Sequence, residues 1–209
     1  MYILTQEIAF PPVEEASSEG FLAIGGDLSP ERLLLAYKNG IFPWFSDDEP
    51  IVWWSPDPRM VLFPEDLKVS KSMKQVLRKN AFEVTYNKAF EQVIDACAKI
   101  YRPGQEDTWI TEDMKGAYIK LHELGCAISV EVWQNEQLVG GVYGIDLGHI
   151  FCGESMFSKV SNASKYGFIH LVERLKENGC ELIDCQMYTN HLASLGAIEV
   201  PREVFLSYL

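Results

Sequence analysis

The chain reads as an α+β protein. A small N-terminal domain is expected over residues 1–60. A larger domain follows over 61–209, with a mixed, largely antiparallel sheet flanked by helices. Three observations predict this. Two amphipathic helical patterns precede three consecutive strand-like runs joined by short polar turns. A further helix then links the third run to another strand. A stretch rich in proline and tryptophan breaks all periodicity near residue 60.

Taken in order, Ser29-Pro30 opens a helix with a capping residue followed by proline at the first helical position. It runs through Leu33, Leu34 and Tyr37 and stops at Gly40. The stretch 42–64 holds Phe42, Trp44, Phe45, Trp53 and Trp54, punctuated by Pro43, Pro50, Pro56, Pro58 and Pro64. These prolines argue against a long helix or a central strand, so an aromatic-lined loop joining the two domains is expected. Its aromatic rings serve either interdomain packing or stacking on a nucleobase. Ser70 can cap a helix on which Lys71, Lys74 and Arg78 share one face. Phe90, Val93, Ile94 and Cys97 mark the next helix. Met114, Ala117, Tyr118 and Leu121 mark another, capped by Thr111 and stopped by Gly125. Strands are expected at 127–133, 138–145 and 149–155, forming an antiparallel meander. A helix then covers 161–178, with Phe168, Leu171, Val172 and Leu175 on its apolar face, and a last strand covers 181–186. A strand–helix–strand connection makes 149–155 and 181–186 parallel neighbours.

Composition narrows the function classes. Hydrophobic residues make up 47% of the 209, and no apolar run is long enough to cross a membrane. The start lacks the basic and long apolar regions of a signal peptide. Five cysteines form an odd set without a C-x-x-C pair, so reduced thiols in a cytoplasm are expected. The four histidines show no metal-ligand spacing among themselves or with the cysteines, so no structural zinc is expected; no cofactor is expected either. A net charge of −12 argues against a broad nucleic-acid surface. One exception is the acid-free run from Lys68 to Lys79 with its five bases. It is either a solvated helix face or a local phosphate contact.

The most informative segments are Phe151 to Ser158 and Leu182-Ile183-Asp184-Cys185-Gln186. Each is an apolar strand ending in polar residues that folding does not require. Side by side, the two strands bring Glu154, Asp184 and Gln186 around one opening, at the strand ends where α/β ligands bind. Such a group suits an amine and an ester, without an activated nucleophile.

Helices, then a meander, then strand–helix–strand resembles the architecture of Gcn5-related N-acetyltransferases. Those domains hold a pyrophosphate on a glycine-rich turn before the helix. Here that turn reads Ser158-Lys159-Val160-Ser161-Asn162-Ala163-Ser164-Lys165 and has no glycine, which disfavours an acyl-CoA donor. Other stretches are more specific: Phe21-Leu22-Ala23-Ile24-Gly25-Gly26-Asp27-Leu28-Ser29-Pro30, Gly40-Ile41-Phe42-Pro43-Trp44-Phe45, Trp53-Trp54-Ser55-Pro56-Asp57-Pro58-Arg59, Thr108-Trp109-Ile110, Leu138-Val139-Gly140-Gly141-Val142-Tyr143-Gly144, Asp184-Cys185-Gln186 and Ser194-Leu195-Gly196-Ala197. Together they resemble the leucyl/phenylalanyl-tRNA–protein transferase family over nearly the whole chain. Two departures stand out: Ala127-Ile128-Ser129 where the family commonly has a histidine, and an early stop at Leu209, expected to simplify the last helix or loop.

The resemblance implies an aminoacyltransferase of the cytoplasm, expected to be a monomer. It would move Leu or Phe, and Met less well, from aminoacyl-tRNA to the α-amine of proteins beginning with Arg or Lys, marking them for N-degron proteolysis. It implies Asp184 and Gln186 as the catalytic relay and Glu154 as a donor-binding residue. Read physically, Gln186 can hold an amine through its amide oxygen, while Asp184 either orients Gln186 or takes a proton indirectly. Val142, Phe151, Leu171 and Ile183 either form plain core or line an apolar side-chain pocket. Tyr37, Trp44 and Trp109 are the candidates to frame the adenosine, and Lys71, Lys74 and Arg78 those to meet tRNA phosphates. The competing readings are an acyl-CoA-dependent N-acetyltransferase and a non-catalytic tRNA-binding module.

Overall fold

The computed structural model describes residues 2–100 and 108–209. The N-terminal part builds a small sheet from β1 (Tyr2–Leu4), β2 (Phe21–Gly25), β3 (Phe42–Pro43) and β4 (Val52–Trp54), in the order β1-β2-β4-β3. Helix α1 (Pro30–Lys38) packs beside it. The Ser29 hydroxyl accepts from the Arg32 amide, and the chain leaves the helix at Gly40 with φ +71°. The left-handed φ favours glycine there, and a Cβ would in addition press on the end of the Leu206 side chain at 2.7 Å.

The large sheet combines β5 (Arg59–Leu62), β6 (Glu83–Tyr86), β7 (Ala127–Gln134), β8 (Gln137–Asp146), β9 (Ile150–Ser158), β10 (Leu182–Gln186) and β11 (Ile198–Val200). Its order is β11-β5-β10-β9-β8-β7-β6. Every pairing in it is antiparallel except β9 with β10, where Asp184 stands opposite Cys152. The expected meander and parallel pair are present. One expectation is corrected: the 42–64 stretch does contain an interior strand. Residues 59–62 carry no proline and are all buried, so β5 keeps its ladder to β10 and β11, while the prolines stand on either side of it.

Helix α2 (Lys71–Arg78) packs on the sheet's flank, followed by α3 (Phe90–Lys99), α4 (Glu112–Glu123), α5 (Ala163–Glu177), and the short α6 (Asn190–Ser194) and α7 (Arg202–Leu206). Helix α5 covers one sheet face, with Phe168, Leu171 and Val172 packed on Val142, Phe151 and Ile183. The other face shares a single apolar cluster with the N-terminal part, including Leu33, Tyr37, Trp53, Val93, Tyr118 and Tyr143. Burial on both faces accounts for the nearly continuous apolar runs of the middle strands.

Two irregularities in this sheet matter. Between β8 and β9, Tyr143 faces Ser155 and Gly144 faces Gly153, so Glu154 is the extra residue of a bulge. Between β5 and β10, Asp184 faces Val61 and Gln186 faces Met60, so Cys185 is extra. A bulge re-aims the side chains around it. Gly144 allows the first bulge, because a Cβ there would sit 2.2 Å from the Cys152 carbonyl oxygen and 2.5 Å from the Phe151 ring. Gly144→Ala is therefore expected to cost about 2 kcal/mol or more in urea unfolding, by overpacking against backbone. Gly116→Ala, in open space on α4, should instead stabilise by roughly 0.5–1 kcal/mol. Equal stability of the two variants would contradict the role of Gly144.

Candidate active site

Strand β9 runs on to Ser158, but its pairing with β10 ends at Cys152 and Asp184. The strands part there, and a cavity of about 610 Å³ opens between them, a size suited to a small-molecule group. Its walls are mostly apolar: Phe42, Val142, Met156, Phe168, Ile183 and Leu192 contribute. The two bulges turn Glu154 and Gln186 into its polar end.

Glu154 is held by three donors. The Tyr37 hydroxyl and the Gln186 Nε2 each donate to its Oε1, both at 2.9 Å, and the Tyr118 hydroxyl donates to its Oε2 at 2.9 Å. The two tyrosine hydroxyls also touch each other. Burial raises the Glu154 carboxyl from its ordinary range to about 7; the charge of Asp184 adds to the rise, and the three donors oppose it. Burial, reinforced by the Glu154 charge, pushes both tyrosines well above their ordinary value, so both remain proton donors.

Asp184 has a different environment. It is fully buried and paired with Arg59, whose Nε donates to Oδ1 at 2.8 Å and whose Nη2 donates to Oδ2 at 2.7 Å. Asp184 Oδ1 also accepts the Gln186 backbone amide at 2.9 Å. Both oxygens are thus engaged, and the aspartate does not reach the cavity wall. Cys185 does reach the wall, but burial raises its thiol, which keeps it protonated.

The residues expected from sequence divide. Glu154, Gln186, Val142, Ile183, Trp44 and Trp109 line the cavity together. Tyr37 does not frame it. The residue is 1% exposed and stands beneath Glu154, with its hydroxyl committed to the carboxylate. Phe151 and Leu171 lie in the core packed around Val142 and Ile183 and are not part of the wall. On α5 the apolar wall position belongs to Phe168, one turn earlier on the same face, with Ser164 a further turn back, a choice helical period alone does not make. Lys71, Lys74 and Arg78 are exposed on α2, which is anchored by its buried Met73 and capped by Ser70, and they are outside the cavity. Sequence reasoning missed Arg59 and Tyr118. Arg59 sat in a stretch read as loop, and Tyr118 fitted the apolar period of α4 and so passed as core. Among the described residues, no group of three or more His, Cys, Asp or Glu side chains is arranged to hold a metal ion, and no helix is long and apolar enough to cross a membrane.

Known proteins resemble this chain over its full length. A family profile described as leucyl/phenylalanyl-tRNA protein transferase matches residues 61–209, and the profile of that family's N-terminal domain matches residues 26–57. The leucyl/phenylalanyl-tRNA–protein transferase of Flavobacterium johnsoniae is 62% identical over 209 residues, spanning 100% of this chain and 99% of its own. That of Flavobacterium psychrophilum is 61% identical with the same coverage. Among solved structures, a GCN5-related N-acetyltransferase from Kribbella flavida aligns with 81% of this chain and 60% of its own at 12% identity and a TM-score of 0.39. On the full-length identities and the matching profiles, the chain belongs to the leucyl/phenylalanyl-tRNA–protein transferase family of aminoacyltransferases.

Proposed function

We propose that this aminoacyltransferase moves Leu or Phe, and Met less well, from its tRNA to the α-amine of cytoplasmic proteins that begin with Arg or Lys. The new N-terminus would mark the product for degradation as an N-degron. The enzyme would act as a monomer, with a small N-terminal domain over 1–60 lending Phe42 and Trp44 to the cavity of the larger domain over 61–209. The observation that carries this reading is the cavity itself: apolar walls with one carboxylate–amide pair, Glu154 and Gln186, at the polar end.

An apolar amino-acid side chain gains from entering such walls, whereas a charged one would be buried unpaired at a cost of several kcal/mol. The aromatic rings of Trp44 and Trp109 frame the adenosine at the mouth. The ionised Glu154 takes the cationic α-amine of the donor. The reaction converts an ester to an amide: the acceptor nitrogen bonds to the carbonyl carbon, the bond from that carbon to the ribose oxygen breaks, and a proton lost by nitrogen ends on that oxygen. The exchange is downhill, so positioning and one proton transfer suffice. Gln186 holds the amine through its amide oxygen while its Nε2 stays on Glu154. Asp184, with both oxygens engaged, orients Gln186 in this reading. The direct test is transfer from tRNAs charged with Leu, Phe, Met, Asp or Lys to a peptide beginning with Arg. Leu and Phe should transfer, Met more slowly, and Asp and Lys at background; efficient Asp or Lys transfer would exclude the apolar pocket.

Binding of the tRNA body falls to Lys71, Lys74 and Arg78, since the net charge of −12 leaves little broad basic surface. Reversing all three to Glu should raise the apparent KM for charged tRNA strongly. It should also flatten the salt dependence by about one unit of slope for each phosphate no longer neutralised. Transfer from a minimal aminoacyl-adenosine, which carries no distant phosphates, should be unchanged. An unaltered tRNA affinity and salt slope would leave α2 a solvated helix face.

A further inference from the structure

Arg59 lies outside the cavity wall, yet the polar end of the cavity hangs on it. Its guanidinium packs against two aromatic rings, with its central carbon 4.9 Å from the Phe42 centroid and 4.6 Å from that of Phe205. In its plane it makes the two bonds to Asp184 described above. Asp184 in turn accepts the amide of the residue two positions on, Gln186, and closes a tight turn there. That turn holds Gln186 at φ +63°, a left-handed conformation that side-chain-bearing residues rarely adopt. In this conformation the Gln186 side chain meets Glu154. A line of touching groups therefore runs from Phe205, on the C-terminal helix, to the carboxylate in the cavity.

We propose that Arg59 is a positioning residue for aminoacyl transfer, and that Phe205 is the C-terminal helix's contribution to that role. The proposal rests on the roles of Gln186 and Glu154 given above. A guanidinium satisfies both oxygens of a carboxylate only when the two groups share a plane. The two rings packed against the guanidinium restrict its rotation out of that plane. Asp184 is then fixed in rotation as well as position, and so is the turn that strains Gln186. Lysine would keep the charge but supply a point donor without a plane. Replacing Phe205 with leucine would keep the ion pair but remove one of the two rings that restrict the guanidinium. In either variant Asp184 gains freedom to rotate, its bond to the Gln186 amide loosens, and Gln186 leaves its strained conformation and the amine it holds.

The test is single-turnover transfer from a saturating aminoacyl-adenosine donor by Arg59→Lys and by Phe205→Leu, each alone and combined with Gln186→Ala, with folding checked by melting. Each single variant should lower the transfer rate by at least about tenfold while changing the donor KM by less than roughly twofold. In the Gln186→Ala background neither should lower the residual rate further, because the clamp acts only through Gln186. An unchanged rate, or a drop by the same factor in both backgrounds, would overturn the proposal and make Arg59 a stabilising residue only. If Gln186→Ala alone transfers at the wild-type rate, the role of Gln186 fails and the positioning role with it; if Gln186→Ala is impaired but the clamp variants are not, only the positioning role fails. Should Arg59→Lys not fold, Phe205→Leu decides alone, since it leaves the ion pair in place.

Discussion

A carboxylate inside a protein is tolerable only where hydrogen bonds replace the water it has lost, and the arrangement of this cavity follows from meeting that condition at Glu154. Its donors come from three parts of the fold: Tyr37 from α1 in the N-terminal part, Tyr118 from α4, and Gln186 from the end of β10. Each must arrive at a fixed angle. The apolar cluster shared between the N-terminal part and the large sheet sets the first two. The bulge at Cys185 sets the third, and the bulge at Glu154 aims the carboxylate at all of them.

Two carboxylates thus stand close together, where β9 and β10 part, in opposite conditions. Asp184 has a planar, two-point cationic partner that engages both of its oxygens. Glu154 has neutral donors only, so burial dominates and its proton affinity rises to about 7. The sign matters for function. Below about 7 the group is protonated and attracts no cation; above it, the carboxylate attracts an ammonium and can accept a proton. Holding two like groups in unlike surroundings is a general way of giving them separate tasks.

Much of this was legible in the sequence. The periodicity of 127–155 and the helix after it declare a meander followed by a parallel strand, because each run is long and cleanly patterned. Polar residues ending two apolar strands pointed to Glu154, Asp184 and Gln186 for the same reason: they break a pattern that folding alone would have kept. What stayed hidden depends on tertiary geometry. No local signal distinguishes Tyr118 as a donor from Tyr118 as core, since its ring is buried in either case. Phe151, Leu171 and Phe168 share a cluster, and only the parting of β9 and β10 decides which of them faces the cavity. Arg59 was obscured by the prolines around it, which disguised a short interior strand as loop.

The central claim is that Glu154 is a carboxylate that burial raises to about 7 against the pull of its three neutral donors. It is tested most directly by titrating that carboxyl in the free protein, by carbon NMR or infrared difference spectroscopy, with Glu154→Gln to assign the signal. The account predicts a carboxyl titrating at about 7 and absent from Glu154→Gln. In Tyr118→Phe, which removes a donor to the ionised form, the midpoint should move higher still. A Glu154 signal titrating in the ordinary carboxylate range, indifferent to Tyr118→Phe, would contradict it.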